Sequence, residues 1–99
     1  MTTLKLKKWD SAEYLKTEED MVMYLQVCLE EAGDDPAFIT KALGTIARAK
    51  GMTQLARDTG LGRESLYKSL SEEGNPSFAT VLKVLSALGI KLTATQAHA

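Results

Sequence analysis

A group of polar side chains between residues 63 and 68 has the chemistry of nucleic-acid recognition. Arg63 can pair through its planar fork with a guanine, and Glu64 can accept a hydrogen bond from a cytosine. Lys68 can reach a base or a phosphate, and Tyr67 can contact a thymine methyl or donate to a phosphate. Residue types that bind phosphates and set register occur at Thr53, Gln54 and Ser65. The segment predicts a DNA-binding surface, and the alternative is a helical hairpin with a solvated polar face.

Two short helices around Gly60 are needed to present these side chains. The sequence predicts one helix over residues 52–59 and a second over residues 62–70. Gly60 can take the positive φ of a sharp turn, and Ala56 is small where the second helix approaches. A small apolar core between the helices is predicted at Leu55, Leu61 and Leu66. In a helix-turn-helix of this kind the second helix enters the major groove.

The remaining chemistry of the chain argues against catalysis. The 99 residues include one histidine and one cysteine, His98 near the end and Cys28 between apolar neighbours. The sequence has no cluster with metal-ligand spacing and no nucleophile near a histidine base. We therefore expect no enzyme, no cofactor and no metal, and Cys28 is predicted to be a small buried hydrophobe.

Length and charge indicate one small domain with two electrically different parts. The composition is 44% hydrophobic with a net charge of −1, and no apolar run has the length of a membrane span. Without a secretory signal, a cytoplasmic location is expected. Residues 10–35 carry nine acids against one lysine, whereas residues 36–99 carry eight bases against four acids. Such a split suits two partners of opposite charge, or it is two solvated faces without partners.

The apolar pattern predicts a mainly α fold of five helices with short terminal strands. Met21, Leu25 and Cys28 fall on one helical face, and Ser77 caps a C-terminal helix that ends at Gly89. Met21, Met23 and Tyr24 could form an adaptable partner surface, but core packing is favoured. The pattern predicts a short strand or an extended arm over residues 2–9, a short helix over about 11–16 and a short strand over 90–95.

Several stretches together resemble the addiction-module antidote proteins, the HigA-like antitoxins of the Xre/Cro-like helix-turn-helix superfamily. The stretches that carry the resemblance are residues 9–15 (WDSAEYL), 42–44 (ALG), 46–49 (IARA), 51–57 (GMTQLAR), 60–68 (GLGRESLYK) and 74–78 (GNPSF). Gly62 stands where many such sequences have a serine or threonine helix cap. The resemblance covers roughly residues 9–92 and implies a five-helix, lambda-repressor-like domain.

The resemblance also implies a function. It indicates an antitoxin that binds and neutralises a small basic toxin of the RelE/ParE/HigB type and represses its own operon on operator DNA. A homodimer is expected because one helix-turn-helix reads too few bases, with residues 77–88 and 90–95 as the candidate interface. The alternative is a stand-alone prophage-type repressor without a toxin partner.

Residues near the N-terminus are candidates for toxin contact. We expect an arm and short helix over residues 1–16, the helix-turn-helix domain over 17–95 and a tail over 96–99. The toxin-contact candidates are Trp9, Tyr14, Leu15, Glu18 and Glu19. Trp9 is more often a core residue in such a place, and Tyr14 and Leu15 are balanced between core and contact. Residues 1–8 could add a strand to the toxin, pair with residues 90–95 or be disordered.

Overall fold

Five α-helices make up most of the chain. The computed structural model describes the backbone of residues 11–97 and the side chains of residues 13–97. Within this range a short 3-10 helix precedes the α-helices, which are α1 Glu18–Ala32, α2 Pro36–Lys50, α3 Met52–Thr59, α4 Arg63–Ser69 and α5 Phe78–Leu88. This confirms the predicted mainly α class with five helices. None of the helices described is long and apolar enough to cross a membrane.

Three helices begin at residues whose side chains cap them, and one of these is the predicted cap Ser77. Thr17 and Asp20 form a capping box at α1, in which each side chain accepts from the other residue's backbone N–H at 3.0 and 3.1 Å. Asp35 accepts from the N–H of Phe38, and Pro36 occupies the first position of α2. Ser77 accepts from the backbone of residue 80 at the start of α5.

Helix α2 lies at the centre of the fold and contacts the 3-10 helix, α1, α3 and α5. Seven of its residues are buried, namely residue 40 and residues 42–47, and the intervening Lys41 is exposed. The other helices contribute buried apolar side chains to the same core, for example Leu25 from α1 and Leu88 from α5. Helix α4 packs against α3 through its single buried side chain, Leu66. The orientation of α3 and α4 therefore depends on the central helix.

The C-terminal strand predicted over residues 90–95 is absent from the described chain. Residues 90–97 follow α5 in a non-helical, non-strand conformation. Ile90 packs against the core, and its N–H donates to the carbonyl of Leu85 at 2.9 Å. From Lys91 onward every described side chain is exposed. The alternation was a poor guide because a strand also needs a neighbouring strand to pair with, and none lies within residues 11–97.

Two further expectations change at the N-terminal side. The helix expected over about residues 11–16 is a single 3-10 turn, Ser11–Tyr14. Core packing is confirmed for Met21 but is wrong for Met23, which is 64% exposed. The strand or extended arm predicted over residues 2–9 and the contact predicted at Trp9 lie outside the described residues.

Candidate nucleic-acid and partner interfaces

A three-residue turn joins α3 to α4, and Gly60 makes it possible. Gly60 has the left-handed backbone expected from the sequence, with φ 76° and ψ 10°. Its N–H donates to the carbonyl of Ala56, which closes the last turn of α3. The hydroxyl of Thr59 donates to the Leu55 carbonyl at 2.8 Å and accepts from the Leu61 N–H at 3.3 Å. These bonds fix the direction in which the chain enters α4.

Two leucines hold the pair of helices together. Leu55 and Leu66 are almost completely buried, and the partly buried Ala56 and Leu61 pack against the same core. Leu66 is the fourth residue of α4, so the residues that flank it on the helix face outward. The structure thus forms the small inter-helix core that the sequence predicts.

The structure brings all seven predicted DNA-contact residues to the surface of α3 and α4. These exposed side chains are Thr53, Gln54, Arg63, Glu64, Ser65, Tyr67 and Lys68. Three of them, Gln54, Arg63 and Tyr67, contact neighbours that limit their freedom. Gln54 donates through its amide nitrogen to Asp58 at 2.8 Å, and the guanidinium carbon of Arg63 lies over the Tyr67 ring, 5.6 Å from its centroid. The seven side chains thus form an exposed polar face on α3 and α4.

The predicted toxin-contact residues fall in different environments. Tyr14 and Glu19 are exposed, whereas Leu15 is buried in the hydrophobic core at 8% exposure. Glu18 forms an exposed ion pair with Lys50, at 3.3 Å between Oε2 and Nζ. This pair joins the first turn of α1 to the last turn of α2, so each charge also suits its helix dipole. An exposed pair of this kind contributes only about 0–1 kcal/mol.

An exposed mixed surface on α1 includes Glu19, a predicted toxin contact, and Met23, for which a partner surface was the less favoured alternative, and it extends beyond both. We call it the α1 outer face, and its members are Glu19, Val22, Met23, Gln26, Leu29 and Glu30, all exposed. Glu19, Met23, Gln26 and Glu30 lie on the side of α1 turned away from the buried stripe, and Val22 and Leu29 lie at the border of that stripe. Helix α1 contains no basic residue. The available signal was the width of the apolar pattern, which continues beyond one helical face.

Two side chains of α1 have perturbed ionisation. Hydrogen bonds from the backbone N–H groups of Lys16 and Thr17 lower the pKa of the Asp20 carboxyl below its ordinary value of 3.8. Burial raises the pKa of the Cys28 thiol, which is fully enclosed as the sequence predicts. Both groups have structural roles in α1, since Asp20 caps the helix and Cys28 lies on its buried face. No group of three metal-ligating side chains occurs in the described part of the chain.

Comparison with known proteins places this architecture in a family. A family model described as "probable addiction module antidote protein" matches residues 5–96. The chain belongs to this antidote family. An uncharacterised protein of Haemophilus influenzae (strain Rd) is 50% identical over 96 residues, which is 97% of each chain. No solved structure is significantly similar. Membership in the antidote family indicates an antitoxin function and implies a cognate toxin as a partner.

Proposed function

We propose that this antidote protein neutralises a toxin of the RelE/ParE/HigB type and represses its own operon by sequence-specific DNA binding. Family membership supports the antitoxin part. The DNA-binding part is supported by one observation, which is the solvent-exposed polar side of α4 held on α3 by the buried Leu66. The expected HigA-like and Xre-like character belongs to this proposal.

In this proposal α3 and α4 are a helix-turn-helix, with α4 as the recognition helix. Arg63 and Glu64 form the N-terminal turn of α4, where base edges are within reach in such a motif. Lys68, one turn later, neutralises a phosphate or contacts a base. Thr53 and Gln54 at the start of α3 bind the phosphate backbone, with Gln54 oriented by Asp58.

Binding to the DNA upstream of the protein's own gene tests this assignment. Replacing Lys68 by alanine should weaken binding and lower the salt dependence by about one counterion. Lys91, equally exposed but beyond α5, provides the matched control, and Lys91→Ala should leave both quantities unchanged. Equal effects of the two substitutions would indicate non-specific attraction and contradict the assignment.

We assign toxin contact to the α1 outer face together with Tyr14. The negative charge and the exposed apolar area of this face support the assignment. Met23, Val22 and Leu29 expose large apolar side chains between the carboxylates of Glu19 and Glu30. An RNA-cleaving toxin needs a positive surface to hold its substrate. An acidic helix with apolar anchors complements such a surface, and binding there covers the RNA site or disturbs it.

A second surface supports a homodimer. Phe78 and Leu82 lie one turn apart on α5 and are both exposed, Phe78 at 69%. The expected interface at residues 77–88 therefore remains our proposal, without the contribution of a strand at 90–95. A second copy packed on this stripe would bury both side chains and present two copies of α4 to successive major grooves.

A further inference from the structure

The aromatic ring of Tyr67 stands beside the guanidinium of Arg63 on the exposed side of α4. The guanidinium carbon lies over the ring, 5.6 Å from its centroid, within the range of a cation–π contact. We propose that Tyr67 is a positioning residue, which orients Arg63 to read a guanine and so sets sequence specificity. This inference rests on the proposed DNA-binding function and names the residue pair that determines its specificity.

The geometry favours this role because of where each residue sits. Arg63 and Tyr67 are four residues apart, so they lie on the same side of the helix. A cation–π contact needs no hydrogen bond between the guanidinium and the ring, so the N–H groups of the guanidinium stay able to donate. Those groups are the ones that bond to the two acceptors of guanine in the major groove.

Ordering the arginine before it meets DNA has an energetic consequence. An arginine side chain that is free in solution loses rotamer freedom when it forms a two-pronged bond. Contact with Tyr67 removes part of that freedom in the unbound protein, so less is lost on binding. The benefit applies to the base pair that Arg63 reads and to no other, because the ring touches the arginine and not that base.

Tyr67 could instead contact DNA directly through its hydroxyl or its ring. The two roles differ in which group matters and in which base pair responds. A phosphate bond needs the hydroxyl and affects all sequences alike. Positioning of Arg63 needs the ring alone and affects discrimination at one base pair.

The experiment compares Tyr67→Phe, Tyr67→Leu and Arg63→Ala in the full-length protein. The probe is the tightest-binding duplex selected from random DNA, together with duplexes in which each G·C pair of that site is replaced in turn. Anisotropy titrations give the ratio of Kd values at each pair. Tyr67→Leu should reduce discrimination at the pair read by Arg63 by about two- to fivefold, the size of an exposed cation–π contact. Tyr67→Phe should retain it.

The other outcomes of these titrations would contradict the role of Tyr67 or that of Arg63. The double variant Arg63→Ala/Tyr67→Leu should discriminate no worse at that pair than Arg63→Ala, and additive losses would overturn the inference. A uniform loss of affinity in Tyr67→Phe would assign the hydroxyl to a phosphate and also overturn it. If Arg63→Ala changes discrimination at no pair, base reading by Arg63 fails and this inference fails with it, whereas DNA binding by α4 is judged separately by the comparison of Lys68→Ala with Lys91→Ala. Thermal melts of the variants establish that each is folded.

Discussion

Gly44, in the middle of α2, packs directly against the carbonyl group of Leu70, the residue that follows α4 and caps its C-terminal end. A β-carbon at Gly44 would meet the carbonyl oxygen of Leu70, with the Leu70 β-carbon only 3.5 Å away. The C-terminal end of the proposed recognition helix therefore packs against the backbone of the central helix. A glycine in a helix interior costs about 1 kcal/mol relative to alanine, and the close approach explains why one is present.

The first prediction follows from that contact. Gly44→Ala should lower the free energy of unfolding by about 1–3 kcal/mol, because Leu70 presents backbone that cannot move aside cheaply. Helix propensity alone predicts the opposite sign. Urea denaturation measures the change. Gly62→Ser is the control, since the new β-carbon has room and the serine hydroxyl can accept from the first turn of α4, for a gain of about a few tenths of a kcal/mol. A Gly44→Ala protein as stable as the parent would contradict the packing.

The turn before α4 gives a second prediction. At Gly60 a new side chain would meet nothing within 4 Å, so only the left-handed backbone opposes substitution. Gly60→Ala should cost about 1–2 kcal/mol, and Gly60→Asn should cost less because asparagine tolerates this conformation. Thermal unfolding ranks the three proteins. Equal melting temperatures for the alanine and asparagine variants would show that the backbone conformation at Gly60 is not the source of the effect.

The capping box at α1 predicts a pH dependence. The pKa of Asp20 is lower in the folded protein than its ordinary value of 3.8, so the folded state binds this proton less readily than the unfolded chain. Its contribution to stability is therefore complete above that ordinary pKa and disappears as the pH falls through the lower, folded pKa. Asp20→Ala should be less stable than the parent at pH 6, and the difference should shrink below pH 3.8. A difference that stays constant down to about pH 2 would mean that the charge of the Asp20 carboxylate does not contribute to the stability of the cap.

A pair of matched substitutions separates the two proposed protein interfaces. Met23→Lys on the α1 outer face should weaken toxin binding about tenfold or more, because it removes an apolar anchor and repels a basic partner. Phe78→Lys on α5 should convert the dimer to a monomer and weaken DNA binding. Both side chains are largely exposed, so neither change should affect folding. Sedimentation and co-purification with the toxin measure the two effects.

The same pair of variants can contradict the assignment. Each variant should leave the other interface intact, so Met23→Lys remains a dimer and Phe78→Lys retains the toxin. Loss of toxin in Phe78→Lys alone would place the toxin on α5. If neither variant affects dimer or toxin, both surfaces are merely solvated.

Local chemistry made much of the helical pattern predictable. Thr17, Asp35 and Ser77 are helix caps whose partners lie three residues away, so the sequence contains both halves of each interaction. The left-handed turn at Gly60 is equally local. These are the features on which the order of the helices and the α3–α4 turn depend.

Features that join distant parts of the chain could not be predicted in the same way. The ion pair between Glu18 and Lys50 spans 32 positions, so the sequence near Glu18 does not predict it. The exposure of Met23 depends on which side of α1 faces α2, and an apolar residue beside a buried stripe fits either side. Within residues 11–97 the strand predicted at 90–95 has no partner strand, and strand pairing is likewise a non-local interaction.

Growth rescue is the most direct test of the central claim that this protein is an antitoxin. Each gene beside its own should be expressed separately, alone and together with this protein, while growth is followed. We expect one neighbour to encode a small basic protein that arrests growth alone, and we expect growth to return when this chain is co-expressed. Rescue should fail with Met23→Lys and persist with Lys91→Ala. If no neighbour arrests growth while the protein still binds its upstream DNA, it is a stand-alone repressor and the antitoxin claim is wrong.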